Sequence, residues 1–309
     1  MPDLSRRRLA LALAALAAAP PALARQAGPP GPVRAADLGD GITLHYIEAG
    51  RGPPVVFVHG SLSDGGYWND QLGPFSRSHR AIAYSRRYNS PNENPSRAGY
   101  SAVADADDLA RLIETLGLKR ASIVGHSYGA FTALFLASRR PELVDRVVLC
   151  EPPAVSLLNH VQGPDAAKGR AMYADIQTRM VEPMRAAFLK GDTEAGVAVF
   201  INYVFGDADA WGKMSADSRK ATLRDAHEWD VMLPRGELFP AIEPDAVRKI
   251  AAPVLQMSGA RSYPFLGVID AELARLLPNA HRITFDRAGH QMWLQEPEAC
   301  RRAVLSFLG

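Results

Sequence analysis

Short apolar runs and amphipathic stretches take turns along this chain from about residue 42 onward. Ile42 to Ala49 alternates apolar and polar positions and halts at Gly50, the pattern of a half-buried strand. Val55-Val56-Phe57-Val58 is an unbroken run of β-formers, as expected where both faces of a strand are covered. Arg80 to Tyr84 predicts another strand. Tyr100 to Leu116 switches to a helical period, with Val103, Leu109, Leu112, Ile113 and Leu116 on the buried side. Strands are predicted again at Ala121 to Val124 and Val144 to Cys150, with an apolar helix from Ala130 to Ala137 between them. The rhythm breaks from about 154 to 246, where helical stretches such as Ala171 to Leu189 bring many aromatics and no parallel-sheet strand. It then resumes: a strand at Pro253 to Met257, a helix at Val268 to Leu277, a strand at Arg282 to Phe285 and a final helix from Pro297 to Leu308.

Strands alternating with helices predict an α/β fold, a mostly parallel sheet with helices on both faces. The break predicts an inserted helical cap at 154–246, dividing a core of 36–153 and 247–309. Residues 25–35 read as a flexible linker, because Gly28 to Pro32 is rich in glycine and proline.

The amino terminus reads as a targeting segment. MPDLSRRRLALALAALAAAPPALA opens basic, continues through a short apolar stretch from Leu9 to Ala19, and ends in the small-x-small site Ala22-Leu23-Ala24. Ser5-Arg6-Arg7-Arg8-Leu9 resembles the twin-arginine signal, so residues 1–24 are expected to direct export to the periplasm or beyond. The apolar run is shorter than the ~20 residues that span a bilayer, and no stable membrane association is expected afterwards. Without these residues the chain holds 32 basic and 32 acidic side chains. A neutral chain without basic runs offers no electrostatic footprint for nucleic acid. Cys150 and Cys300 are the only cysteines; each lies in an apolar pattern, and buried free thiols are the expectation.

Candidate chemistry begins at Gly125-His126-Ser127-Tyr128-Gly129, a G-x-S-x-G sequence between a strand and a helix. Such a turn is so sharp that neighbouring side chains must be nearly absent, and its serine projects from the sheet with an exposed hydroxyl. A serine hydroxyl is a weak nucleophile until a base accepts its proton. His59-Gly60-Ser61 follows an early strand, and Ala288-Gly289-His290 follows the last one. With these three features, in this order and spacing, the chain from about Gly41 to Gly309 resembles the α/β-hydrolases. The resemblance implies Ser127 as nucleophile, His290 as base, and the backbone N–H groups of Ser61 and Tyr128 as the oxyanion hole. It implies no cofactor and no metal. His59 is expected to order the oxyanion loop, and His126 to pack beside the turn.

The acid departs from the common family pattern. Most members carry an aspartate beyond the strand that here reads PVLQMSGARSYP, yet no carboxylate stands near Arg261 or Ser262. An imidazole that becomes cationic needs an anionic partner to fix its tautomer. Glu151, at the end of the preceding core strand and backed by Pro152-Pro153, is the candidate, with Asp270 and Asp286 as rivals. Haloalkane dehalogenases and zearalenone-type lactonases place the acid on this strand, and CEPP resembles the lactonase segment.

The expected activity is hydrolysis of a carboxylic ester or lactone through an acyl-enzyme, with a small-molecule substrate under the cap. The same skeleton serves cofactor-free carbon–carbon hydrolases, acyltransferases and perhydrolases, and a non-enzymatic binding protein is the alternative of another class. Tyr203, Phe205, Trp211 and Trp229 are candidate pocket residues within the cap. In AYSRRYNSPNENP, Tyr88 and Asn89 are candidates for reaching the substrate, a solvated loop being the plain alternative. The His227-Glu228 pair reads as cap surface.

Overall fold

The computed structural model describes residues 31–277 and 280–309. The signal-peptide reading of residues 1–24 lies outside the described residues, as does the linker reading for 25–30. Eight strands form one sheet: β1 (Arg34–Asp37), β2 (Thr43–Ala49), β3 (Pro54–Val58), β4 (Arg80–Tyr84), β5 (Ala121–His126), β6 (Val144–Cys150), β7 (Val254–Gly259) and β8 (Ala280–Phe285). Their spatial order is β1-β2-β4-β3-β5-β6-β7-β8. The first two strands are antiparallel to their neighbours, and every pairing from β4 to β8 is parallel.

Core helices are α1 (Asn69–Phe75), α2 (Ala102–Thr115) and α3 (Tyr128–Arg139) before the interruption. Between β6 and β7 the described residues form no strand; they hold α4 (Ala166–Ile176), a π turn at Gln177–Val181, α5 (Glu182–Leu189), α6 (Thr193–Phe205), α7 (Ala210–Lys213), α8 (Ala216–Arg224), α9 (His227–Arg235) and α10 (Pro244–Arg248). After β7 come α11 (Pro264–Leu276), α12 (Met292–Gln295) and α13 (Pro297–Leu308).

The unbroken apolar runs are explained by the sheet's two covered faces. Successive side chains point to opposite sides, so Val56 and Val58 join the cluster under α2, α3 and the cap, while Val55 and Phe57 face α1 and α13. Apolar residues are therefore required from Val55 to Val58, and all four are fully buried.

The edge differs from expectation. Arg34 and Ala35, placed in the linker by their neighbours' composition, begin β1, which pairs with β2 in the register Arg34↔Tyr46. A four-residue edge strand is too short to show a period. It is held instead by a turn through Gly39, Asp40 and Gly41, all at positive φ (80°, 54° and 70°). No described helix is long and apolar enough to cross a membrane.

Candidate active site

The carboxyl ends of the parallel strands converge on one cavity, the place where open α/β sheets present their loops to ligands. Ser127 follows β5 directly, Glu151 follows β6, His290 follows β8, and His59 to Ser61 follow β3. Ser61, Ser127, Tyr128 and His290 all line this cavity, which encloses about 450 Å3 of empty space, part of it open to solvent.

Ser127 sits at φ 54°, ψ −121°, a conformation that a side-chain-bearing residue adopts only against steric strain. The surrounding sequence explains how it is held. A Cβ at Gly125 would lie 2.5 Å from the Cα of Ala130, and one at Gly129 would lie 2.2 Å from the Val58 carbonyl oxygen. Only glycine fits either position. The Ser127 N–H donates to the Cys150 carbonyl at 2.8 Å, and the Ser127 carbonyl accepts from Phe131 at 3.0 Å as α3 begins. Strand and helix thus clamp the turn from both sides.

Glu151 is also at positive φ, 51°. Its carboxylate is almost fully buried and faces three donors: Gly259 N–H to Oε1 at 2.8 Å, Ser262 Oγ–H to Oε2 at 2.6 Å, and His290 Nδ1–H to Oε2 at 2.6 Å. Burial alone would raise this carboxyl, but the bond and charge of His290, with the Ser262 and Gly259 bonds, hold it below the usual carboxylate range. A carboxylate with this many donors stays ionised. Of the rivals, Asp286 is exposed. Asp270 is buried on α11, and its carboxyl is pushed well above the usual range, first by burial and then by the Glu151 charge. Ser262 stands where the family pattern expects the acid, and it serves here as a donor to Glu151.

With Nδ1 bonded to Glu151, His290 keeps Nε2 for the cavity. Among the described residues the Ser127 hydroxyl makes no hydrogen bond; it meets His290 through their shared cavity wall. Nucleophile–base bonds commonly tighten only when substrate arrives.

His59 and His126 hold the surroundings. His59 is fully buried, its Nδ1 bonds the Gly60 carbonyl at 2.8 Å, and its Nε2 accepts the Arg86 N–H at 2.9 Å. Burial, then the nearby Arg86 charge, keep it neutral, well below the ordinary imidazole range. His126 stacks on Tyr67 with centroids 5.3 Å apart and donates from Nε2 to the His290 carbonyl at 2.8 Å. Burial, with the neighbouring His290, pushes its pKa down to about 3.

A pH dependence of stability follows. A group whose pKa falls on folding binds fewer protons folded than unfolded, so stability declines as pH drops below the unfolded value. Through His126 alone the chain should lose roughly 2–3 kcal/mol between pH 6.5 and pH 4.5, at about 1.4 kcal/mol per unit. Urea midpoints measured across that window should fall more steeply for the wild type than for His126→Gln. Parallel slopes would refute the assignment.

Several expectations about the pocket are corrected. Of the four cap aromatics named, only Trp229 lines the cavity. Tyr203 donates to Asp175 at 2.9 Å, Trp211 donates to Glu194 at 3.1 Å, and Phe205 is exposed. The wall is built instead by Met180, Phe200, Leu238, Phe239, Tyr263 and Phe265, among others. Tyr88 and Asn89 are buried and do not line it, so the loop is neither solvated there nor in reach of substrate. Glu228 is no surface residue: it is fully buried against Arg86. Two adjacent polar residues give no sequence sign of this, because the partner lies 142 positions away. Cys150 and Cys300 are free and buried, and Cys150 Sγ accepts from the Trp293 indole N–H at 3.3 Å.

Comparisons with known proteins agree with this fold. The family described as alpha/beta hydrolase fold matches residues 53–179. A Mycobacterium tuberculosis protein bearing the name non-heme bromoperoxidase BpoC is 30% identical over 280 residues, covering 86% of this chain and 97% of its own. The 2-(acetamidomethylene)succinate hydrolase of Mesorhizobium japonicum is 27% identical over 279 residues, covering 89% of this chain and 94% of its own. Among solved structures, carboxylesterase CesB of Bacillus subtilis superposes with a TM-score of 0.68 at 21% identity, covering 96% of this chain and 98% of that one.

Proposed function

The chain belongs to the α/β-hydrolase family, and from that premise we propose that it is a serine hydrolase cleaving an uncharged carboxylic ester or lactone. The observation that carries this reading is the 2.6 Å bond from His290 Nδ1 to Glu151 beside a cavity whose wall includes Ser127. Ser127 Oγ attacks the carbonyl carbon while its proton passes to His290 Nε2, and Glu151 stabilises the imidazolium. The tetrahedral oxyanion rests on the N–H groups of Ser61 and Tyr128, which are fixed before charge develops. Collapse expels the alcohol, which takes the proton from His290. Water then repeats the sequence on the acyl-enzyme, and the acid leaves with Ser127 restored. In a lactone the alcohol and acid belong to one product.

The cavity supports an uncharged substrate. Among the described residues no Lys, Arg, Asp or Glu lines it, and aromatic and aliphatic side chains form most of its wall. A carboxylate carried into such a site meets no counter-ion, and burying an unpaired charge costs several kcal/mol. Aryl butyrates should accordingly be turned over with kcat/KM on the order of 100-fold above the matching aryl hemisuccinates, about 2.7 kcal/mol of discrimination. Equal rates would contradict the apolar assignment. The parent test is covalent labelling by a fluorophosphonate probe: modification mapped to Ser127 is expected, and an unlabelled active preparation would remove the serine mechanism. We further propose, on Ser5-Arg6-Arg7-Arg8-Leu9, that the chain is exported by the twin-arginine route.

A further inference from the structure

A fully buried cluster of charge lies beneath the loop from His59 to Leu62. The Arg86 and Glu228 side chains are 0% exposed and that of Asp105 is 1% exposed. Arg86 follows β4 and spreads its guanidinium over five partners, one of them the Tyr100 hydroxyl at 3.4 Å from Nη1. Nε donates to the His59 carbonyl at 3.2 Å and Nη2 to the Gly60 carbonyl at 3.1 Å. Nη1 donates to Asp105 on α2 at 2.7 Å, and Nη2 also meets Glu228 on α9. The same guanidinium lies over the Tyr128 ring, 5.0 Å from its centroid. Arg86 therefore touches both strips of chain that supply the proposed oxyanion donors.

Glu228 is the cap's part of the cluster. One carboxylate oxygen meets Arg86, and the other accepts the Leu62 N–H at 2.8 Å. Leu62 immediately follows Ser61 and has φ 55°, a left-handed conformation that a leucine holds only under constraint from outside. One helical turn along α9, Met232 accepts the Tyr128 hydroxyl at 3.5 Å. Residues four apart share a helix face, so one face of α9 holds both oxyanion strips.

We infer that Arg86 and Glu228 are positioning residues, a buried ion pair through which cap helix α9 sets the oxyanion hole. The inference rests on the hydrolase reading above. Oxyanion donors act only if their direction is set before the reaction. Ser61 has no helix behind it to set its direction, as Tyr128 has in α3. The bond from Leu62 to Glu228 supplies that constraint, and Arg86 fixes the carbonyls on the other side. Seating of the cap is thereby coupled to stabilisation of the transition state.

Glu228→Gln tests this with almost no change of shape. Both neighbours of the carboxylate are donors, and an amide offers one acceptor and one N–H2. Either Leu62 or Arg86 must then face a donor. For an aryl butyrate kcat should fall about 10- to 100-fold, as for a misplaced oxyanion donor, while KM stays within about threefold. Affinity for a trifluoromethyl ketone, which forms a tetrahedral adduct, should fall with kcat; affinity for an isosteric alcohol should not. Glu228→Asp keeps the charge but falls one methylene short of the loop, and it is read in the same way if the glutamine variant does not fold. Wild-type kcat in a folded variant, or a rise in KM alone, overturns the positioning role. A wild-type chain that neither turns over aryl esters nor takes the fluorophosphonate overturns the hydrolase reading instead.

Discussion

Ser127→Ala should lower kcat for p-nitrophenyl esters on the order of 10^5- to 10^6-fold, because the variant has no covalent route and retains only binding and the oxyanion hole. The fold should survive, since alanine keeps the Cβ and the turn is held by backbone bonds from Ser127 to Cys150 and Phe131. Stability offers a second reading of the same position. The angles φ 54°, ψ −121° are open to glycine and strained for any residue with a side chain. Ser127→Gly should therefore be about 1 kcal/mol more stable than Ser127→Ala in chemical denaturation, after the entropic penalty of glycine is set against the relieved strain. The site stores strain to present its hydroxyl. Residual activity within tenfold of wild type would exclude Ser127 as nucleophile.

Glu151→Gln should lower kcat by about 10^3- to 10^4-fold, the scale found when an orienting carboxylate becomes an amide. The donors around Glu151 give the reason. Gly259 N–H requires an acceptor at Oε1, which leaves the amide N–H2 facing Ser262 and His290. The Ser262 hydroxyl can rotate to accept, but His290 Nδ1 can accept only by moving its proton to Nε2. That tautomer cannot take a proton from Ser127. Asp270→Asn, by contrast, should retain activity within a few-fold, because burial and the Glu151 charge push the Asp270 carboxyl well above the usual range, toward the neutral form that an amide resembles. Steady-state kinetics on both variants decide the matter: a normal Glu151→Gln beside an inactive Asp270→Asn would reverse the assignment.

Glu151 is instructive about what a sequence discloses. A carboxylate missing near Arg261 and a carboxylate closing β6 made Glu151 the candidate, and in the structure its Oε2 lies 2.6 Å from His290 Nδ1. The role of Ser262 was not legible, because a serine after β7 has no pattern until Glu151 is seen to occupy the space beside it. The cap was least legible of all. Aromatic character marked Phe205 and Trp211 as candidates as readily as Trp229. Only Trp229 reaches the cavity.

Sequence alone determined seven of the eight described strands, their alternation with helices, and the elbow around Ser127. Those features depend on backbone geometry within a few residues, where a glycine, a β-branched run or an apolar period has a direct steric meaning. The tertiary structure decided how the buried charges pair and which cap side chains reach the cavity. Arg86 and Glu228 are 142 positions apart, and each taken alone resembles a surface residue. Burial becomes tolerable only when the cap lands on the sheet and brings opposite charges into contact. That landing is set by the packing of whole helices, which no short stretch of chain encodes.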